Sequence, residues 1–515
     1  MYPLSPAVIA RSLTEIEVCP GTVNHCLMYR GSRRGIYLMD YYARMEKMDI
    51  AAGGPTGPRP EGVSLRPEDI VARAAAVLRE NDMGGWTRAS PTLYPHQWSW
   101  DSAFIAIGLA HLDTGRAAGE IRSLLDHQWD NGKIPHIVFN PDAPPESYFP
   151  GPEHWASAAE APDAPTGPAT TSGLCQPPVH AIAALRVLRV AEAQGEGAAE
   201  AREFLVEIYP KLLAWHRYLA TKRDPEGSGL VTIYHPWESG TDNSPRWTPA
   251  LERVELGEIP PYERLDLGHV DPSERPTGDE YDRFIWLVEV IKGTGCDDDV
   301  LFADCPFMVK DVLASAILVR ANEALVEISR IADAPEVDRS TLRAWIERGR
   351  KGLDELWNPN LGLCSDYDLR AGEPLAARTV AGFAPLIAGS GREDHVEALL
   401  RTLDSRFFTG DDDLRWPLPP STSPREKGFL PRSYWRGPVW PVINWLLWWS
   451  LEGAGERKRA DRLKAYSLAQ LSDGCFGEYY EPFTGEALGS DDQSWTAAVA
   501  LDWLAEERPD GKPAR

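Results

Sequence analysis

From Pro67 onward the chain repeats one pattern: apolar residues return at every third or fourth position, in runs separated by polar connections. That period predicts twelve amphipathic helices, over Glu68–Glu80, Asp101–Leu112, Ala117–Trp129, Pro177–Ala193, Ala199–Thr221, Val309–Ile331, Arg339–Trp357, Ala376–Ala388, Arg392–Leu403, Pro438–Leu451, Glu456–Leu471 and Gln493–Leu504. A further helix is expected near Tyr281–Ile291. Strict apolar–polar alternation is sparse, so strands should contribute little. Pro177 and Pro438 are placed as first-turn prolines, where a missing amide costs no hydrogen bond. Twelve helices pair into six antiparallel hairpins, an all-α arrangement.

Two long stretches interrupt the period, Asn131–Cys175 and Asn243–Glu280, both rich in Pro, Asp and aromatic residues. Loops of this length in a compact domain usually serve as lids or binding loops. They are read as a cap over one end of a helical barrel, with insertions at approximately 131–175 and 243–290 of a domain spanning 67–515. Residues 1–66 hold no such period, and Ala51–Pro67 is a Gly/Pro-rich linker, so a poorly ordered tail is expected there. Met48 is a second candidate start.

Composition narrows the function. With 77 acidic and 53 basic residues the net charge is −24, which repels nucleic-acid backbones and anionic bilayers. Seven scattered cysteines without Cys-x-x-Cys spacing suggest neither a disulfide framework nor a zinc site, and fit a reducing compartment. The most apolar window, Val439–Leu451, is too short to cross a bilayer and no leader pattern opens the chain, so a cytoplasmic location is expected. The acidic runs Asp297–Asp299 and Asp411–Asp413 read as solvated loops, and no metal is assigned. Gly-x-Gly-x-x-Gly, Walker, Gly-x-Ser-x-Gly and His-Glu-x-x-His patterns are missing, so no cofactor is implied.

The remaining chemistry gathers in the connections between helices. Tyr94–Asp101 (YPHQWSWD) sets Trp98 as a stacking platform beside Asp101, which serves equally well as a sugar-hydroxyl acceptor or as a helix cap. Tyr234–Trp247 (YHPWESGTDNSPRW) places two carboxylates among aromatics, either poised for a raised pKa or solvated in a capped loop. Phe476–Glu486 (FGEYYEPFTGE) embeds further acids in aromatics, and SDDQSW, from Ser490, leads into the last helix. Two carboxylates on separate loops with aromatic walls are the minimal apparatus for cleaving a glycosidic bond.

Taken in order, YPHQWSWD, WESGTDNSPRW, YWRGPVW and FGEYYEPFTGE followed by SDDQSW resemble glycoside hydrolase family 63, and within it the bacterial mannosylglycerate and glucosylglycerate hydrolases. The resemblance spans about Ser90 to the C-terminus. It implies an (α/α)6 toroid with a cap, in agreement with the helix count, and an inverting mechanism. It implies Asp242 as general acid and Glu478 as general base, with Glu238 and Glu481 standing aside. Tyr94, Trp98, Asp101, Gln176, Trp237, Tyr434, Trp435, Gly437 and Trp440 would hold the hexose. Arg275 and Tyr281, joined by Tyr148 and Gln493, would hold the anionic glycerate aglycone. The bland alternative for Arg275 and Arg283 is surface ion pairing with Asp271, Glu274, Asp279, Glu280 and Asp282.

The implied partner is therefore a small-molecule glycoside, with a homo-oligomer compatible with the many exposed helix faces. Three other readings stand beside it. One is a toroidal glucosidase acting on a neutral disaccharide, as trehalases do. Another is a sugar epimerase working through converging histidines, although none of the 11 His forms a local pair. The last is a sugar-binding protein without catalysis. Nothing in the motifs separates glucose from mannose, which differ at one hydroxyl.

Overall fold

Helices buried over most of their surface alternate along the chain with helices that bury one stripe, and that alternation sorts them into two layers. The structure is a computed structural model that describes residues 65–144, 147–167, 169–268, 270–390 and 392–505. Apart from Leu65 and Arg66, the expected tail over 1–66 lies outside the described residues. The main helices are α1 (Pro67–Glu80), α2 (Ser99–Leu109), α3 (Thr114–Leu125), α4 (His180–Gln194), α5 (Ala198–Thr221), α6 (Gly278–Gly293), α7 (Val312–Ile331), α8 (Glu336–Glu355), α9 (Ala384–Ile387), α10 (Glu393–Leu403), α11 (Pro441–Gly453), α12 (Arg457–Gln470) and α13 (Ser494–Ala505).

α2 is buried along its whole length and α13 from Ser494 to Leu504, whereas α8 and α10 bury a single stripe. The largely buried helices pack in a closed cycle: α2 on α4, α4 on α7, α7 on α9, α9 on α11, α11 on α13 and α13 back on α2. Each inner helix carries one amphipathic partner outside it, α3, α5, α8, α10 and α12 following their inner helices in sequence and α1 covering α13. The protein is thus mostly helical. Among buried polar groups inside the ring, Asp502 of α13 is satisfied by Arg186 of α4 (3.0 Å), Trp445 of α11 (2.9 Å) and His111 (2.7 Å). One carboxylate thereby ties together three inner helices, as a buried charge requires.

Strands are few and short. The largest sheet is antiparallel throughout, in the order β1 (Val231–Ile233), β2 (Val309–Asp311), β3 (Asp366–Asp368), β4 (Glu373–Leu375). Val309–Asp311 were expected to open a helix. They pair as a strand because the Asp311 carboxylate accepts from the amides of Leu313 and Ala314, which fixes the helix start one residue later.

Other departures have equally local causes. The helix expected over Ala376–Ala388 is a 3-10 turn (Val380–Phe383) followed by the short α9, and Gly382 and Pro385 explain the interruption. α4 starts at His180 rather than at Pro177, and the first-turn proline of α11 is Pro441 rather than Pro438. The acidic runs are not simply solvated. Asp298 is buried against Arg223 at 2.8 Å, and Asp411 is buried against Arg425 at 3.1 Å. The two aperiodic stretches hold short helical turns at Pro152–Trp155, Ser157–Glu160 and Thr248–Glu252, and α6 extends the expected helix near Tyr281–Ile291 at both ends.

Candidate active site

The connections that precede inner helices converge on one cavity of about 900 Å³, counted with its open mouth. Trp98 and Asp101 reach it from the start of α2, Gln176 from the approach to α4, Tyr434 and Trp435 from the approach to α11, and Glu478 and Gln493 from the approach to α13. Asp242 and Trp237 come from the turn after β1. The two aperiodic stretches supply Tyr148 and Arg275, and the start of α6 supplies Tyr281. Tyr94 completes the residues expected from sequence that line the cavity.

Gly437 and Trp440 do not line it. A side chain at Gly437 would strike the Leu430 carbonyl, so the glycine serves loop packing. Trp440 stacks flat behind Trp435, with ring centroids 3.7 Å apart, and its Nε1 donates to the Tyr434 carbonyl at 3.2 Å. It supports the wall without reaching the space. The sequence reading passed over Trp100, Trp495, His136 and Asp266, which all line the cavity. Both tryptophans sit inside the motifs already singled out. No periodicity or motif marks Asp266, which lies in an acid-rich loop.

Four carboxyl groups line this space, and three of them, Glu478, Asp242 and Asp101, sit in different settings. Glu478 is buried, accepts from the Tyr94 hydroxyl at 2.9 Å and from the Ser490 amide at 3.1 Å. Burial raises its pKa, while Arg275 and those donors work in the opposite direction. Asp242 is half-buried, and the charge of Arg275 and its own amide favour its ionised form. Burial pushes it from 3.8 to about 7, with Arg275 opposing and the negative charge of Glu478 adding to the rise. Asp101 does not cap α2. Its carboxyl faces the cavity, and burial, then Glu478 and Asp242, hold it well above the usual carboxylate range.

Among the described residues, Arg275 is the only lysine or arginine lining the cavity. It is buried, donates through Nη1 to the Tyr94 hydroxyl at 3.2 Å and through Nε to Asp266 at 3.2 Å, and lies over the Tyr434 ring at 4.2 Å. The segment that carries it is anchored by Arg432 to Glu274 (2.7 Å) and by Arg436 to Glu280 (2.6 Å). Arg283 instead pairs with exposed Asp279 at 2.7 Å, the surface role. The Tyr281 hydroxyl donates to the Phe149 carbonyl at 3.1 Å, so it faces a ligand only as an acceptor.

The neighbouring acids are structural. Glu238 forms a paired contact with buried Arg223, both bonds 2.7 Å. Burial works to raise its pKa, but Arg223 overcomes this and holds it at about 2. Its contribution to stability is therefore complete above its ordinary 4.5 and is lost as pH falls toward 2. Glu238→Gln should cost about 3 kcal/mol of stability, the expected result of leaving a buried charge short of a partner, with kcat little changed. Thermal unfolding and turnover of the same sample check both halves. Glu481 accepts from the amides of Phe483 and Thr484 and shapes its own turn.

Two glycines make room for the site. Gly240 has φ of +68° and a Cβ there would meet Trp100 at 2.6 Å; Gly489 has φ of +73° and a Cβ would meet the Glu478 Oε2 at 2.5 Å. Gly489→Ala therefore has to displace the Glu478 carboxylate. We expect it to lower kcat by about a hundredfold, the scale of a catalytic group misplaced by roughly 1 Å, with KM changed less. Steady-state kinetics on the folded variant decide this.

A carboxyl group pushed up to about 7 and a carboxylate supported by two donors share one aromatic-walled cavity, a pairing suited to acid–base chemistry, and the protein is a glycoside hydrolase. The comparisons with known proteins agree. The chain belongs to the family described as mannosylglycerate hydrolase MGH1-like glycoside hydrolases, whose model matches residues 94–496. It is 48% identical to the glucosylglycerate hydrolase of Mycolicibacterium hassiacum, over 86% of this chain and all of that one. It is 40% identical to the mannosylglycerate hydrolase of Rubrobacter radiotolerans, over 88% of this chain and 99% of that one. A crystal structure of the glycoside hydrolase family 63 mannosylglycerate hydrolase from Thermus thermophilus, in complex with Tris and D-glycerate, matches with a TM-score of 0.77 at 40% identity, covering 84% of this chain and 99% of that one.

Proposed function

We propose that the protein hydrolyses α-glucosylglycerate, α-mannosylglycerate or both to the hexose and glycerate, with inversion at the anomeric carbon. The observation that carries this reading is one cavity holding both Asp242, whose carboxyl burial pushes up to about 7, and a donor-supported Glu478, with Arg275 as its cation. The closed cycle of inner helices with one outer partner each is read as an (α/α)6 toroid, and the segments near 131–175 and 243–290 as its cap. Asp242 donates its proton to the glycosidic oxygen. Glu478 takes a proton from water attacking the opposite face, and the C–O bond breaks as the new one forms.

Trp98 and Asp101 hold the hexose in the depth of the pocket, with Gln176, Trp237, Tyr434 and Trp435 around it. Hydroxyl donors from the sugar would favour the ionised form of Asp101. Arg275, with Tyr148, Tyr281 and Gln493, receives glycerate, and a guanidinium suits a carboxylate because two N–H groups can point at two oxygens. D-glycerate in complex with a structural relative, and 48% identity to a glucosylglycerate hydrolase, support this substrate class. The epimerase reading loses its base. Among the described residues His136 is the one histidine lining the cavity, and burial pushes it down to about 3. Among the described residues no helix is long and apolar enough to cross a membrane.

Time-resolved proton NMR with α-glucosylglycerate, α-mannosylglycerate and trehalose in parallel tests the proposal. We expect the β-hexose to appear first from at least one glycerate compound. First appearance of the α-anomer would overturn inversion, and consumption of trehalose alone would overturn the substrate class.

A further inference from the structure

Arg275 does not stand alone at its end of the cavity. Its Nε donates to Asp266, a carboxylate that itself lines the space and would cancel the charge offered to an anionic aglycone. Asp266 is not left to do so. Arg264, which does not line the cavity, grips it with two parallel bonds of 2.8 and 2.7 Å. Arg264 is fixed in turn by the Pro276 carbonyl at 3.1 Å and by the Tyr281 ring at 3.9 Å. The three groups sum to one net positive charge, two guanidinium groups against one carboxylate. Because Asp266 meets Arg275 through Nε, it orients the guanidinium without occupying both terminal nitrogens.

We propose that Arg264 is the residue that sets the preference for an anionic aglycone: it neutralises Asp266 so that the charge of Arg275 is available to substrate. It acts through Asp266 and Arg275 and is a positioning residue. This inference rests on the proposed hexosylglycerate substrate and adds to it the group that makes such a substrate acceptable in a protein of net charge −24. Charge complementarity of this kind acts on binding more than on the chemical step.

The test measures kcat and KM on whichever hexosylglycerate the unaltered protein cleaves, for R264Q, R264K and the double variant R264Q/D266N. R264Q leaves Asp266 opposing Arg275, and its KM should rise by about tenfold or more at little-changed kcat, the scale of one uncompensated charge at close range. R264K keeps the charge and should stay within about threefold of the unaltered protein, less than the loss a full charge imposes. The double variant deletes both charges, restores the net of one, and should recover most of the KM lost in R264Q. A role as a loop staple predicts the reverse, because removing both ends of the clamp cannot repair it. A double variant no better than R264Q, or an R264K as impaired as R264Q, overturns the proposal. Should R264Q fail to fold, the double variant and R264K are compared with the unaltered protein, and a KM raised about tenfold or more in either overturns the proposal. If the unaltered protein cleaves neither hexosylglycerate, the substrate reading fails first and is identified as the failure by that control.

Discussion

Asp242→Asn is expected to lower kcat by about a thousandfold or more, within the range supplied by a positioned general acid, while making the protein more stable at neutral pH. The two effects share one cause. In the folded protein Asp242 keeps its proton up to about pH 7, against an ordinary value of 3.8. Between those values the folded state holds a proton that the unfolded chain has released, so stability falls as pH rises through the window and the loss is complete above it. Ionised Asp242 thus costs the fold on the order of a few kcal/mol, reduced by the part of its carboxyl that remains open to the cavity. Asparagine removes the titration. The difference in melting temperature between variant and unaltered protein should widen from about pH 4 to pH 7 and then level off. In the same series the fall of kcat/KM above neutrality, set by loss of the Asp242 proton, should vanish. A variant that keeps turnover, or whose stability gain is independent of pH, removes Asp242 from the role of acid.

The placement of the site explains why so much of it was legible. Trp98, Tyr434, Trp435 and Glu478 sit in connections that lead into inner helices, and Asp101 in the first turn of one, where an apolar period breaks abruptly into aromatic and acidic residues. Most of the ring was equally visible, since α7 and α11 announce themselves by apolar periods of many residues. What escaped is what leaves no period. β1 and β2 are three residues long, and α9 is one turn hidden behind Gly382 and Pro385. Asp266 and Arg264 lie in a charged loop where any pairing of acids and bases fits the sequence, and only the fold selects one. Gly437 shows the converse error. Its motif marked it for ligand contact, yet the tight approach of the Leu430 carbonyl is reason enough for a glycine there.

Glu478→Ala is expected to abolish hydrolysis and to recover cleavage when azide is supplied, forming the β-hexosyl azide. The argument starts from the surroundings of the carboxylate. Tyr94 and Ser490 both donate to it, so it is supported as the anion that draws a proton from water. Removing the side chain opens a space beside the anomeric carbon that a small anion can fill. Azide needs no base: it attacks the anomeric carbon, the glycosidic C–O bond breaks, and Asp242 delivers its proton to the departing glycerate oxygen. Attack from the side opposite the leaving group gives the β product from an α-glycoside, which NMR reads from the one-bond C1–H1 coupling for either hexose. Glu478→Gln provides the control for folding. Its amide can accept from Ser490 and donate to Tyr94, whose hydroxyl can turn toward Tyr434 at 3.3 Å and still accept from Arg275. That variant should melt like the unaltered protein and stay inactive. Azide should do nothing for Asp242→Ala, in which the leaving group has no proton donor. Rescue of that variant instead of Glu478→Ala would exchange the two roles, because only the residue that activates the nucleophile can be replaced by a nucleophile that needs no activation.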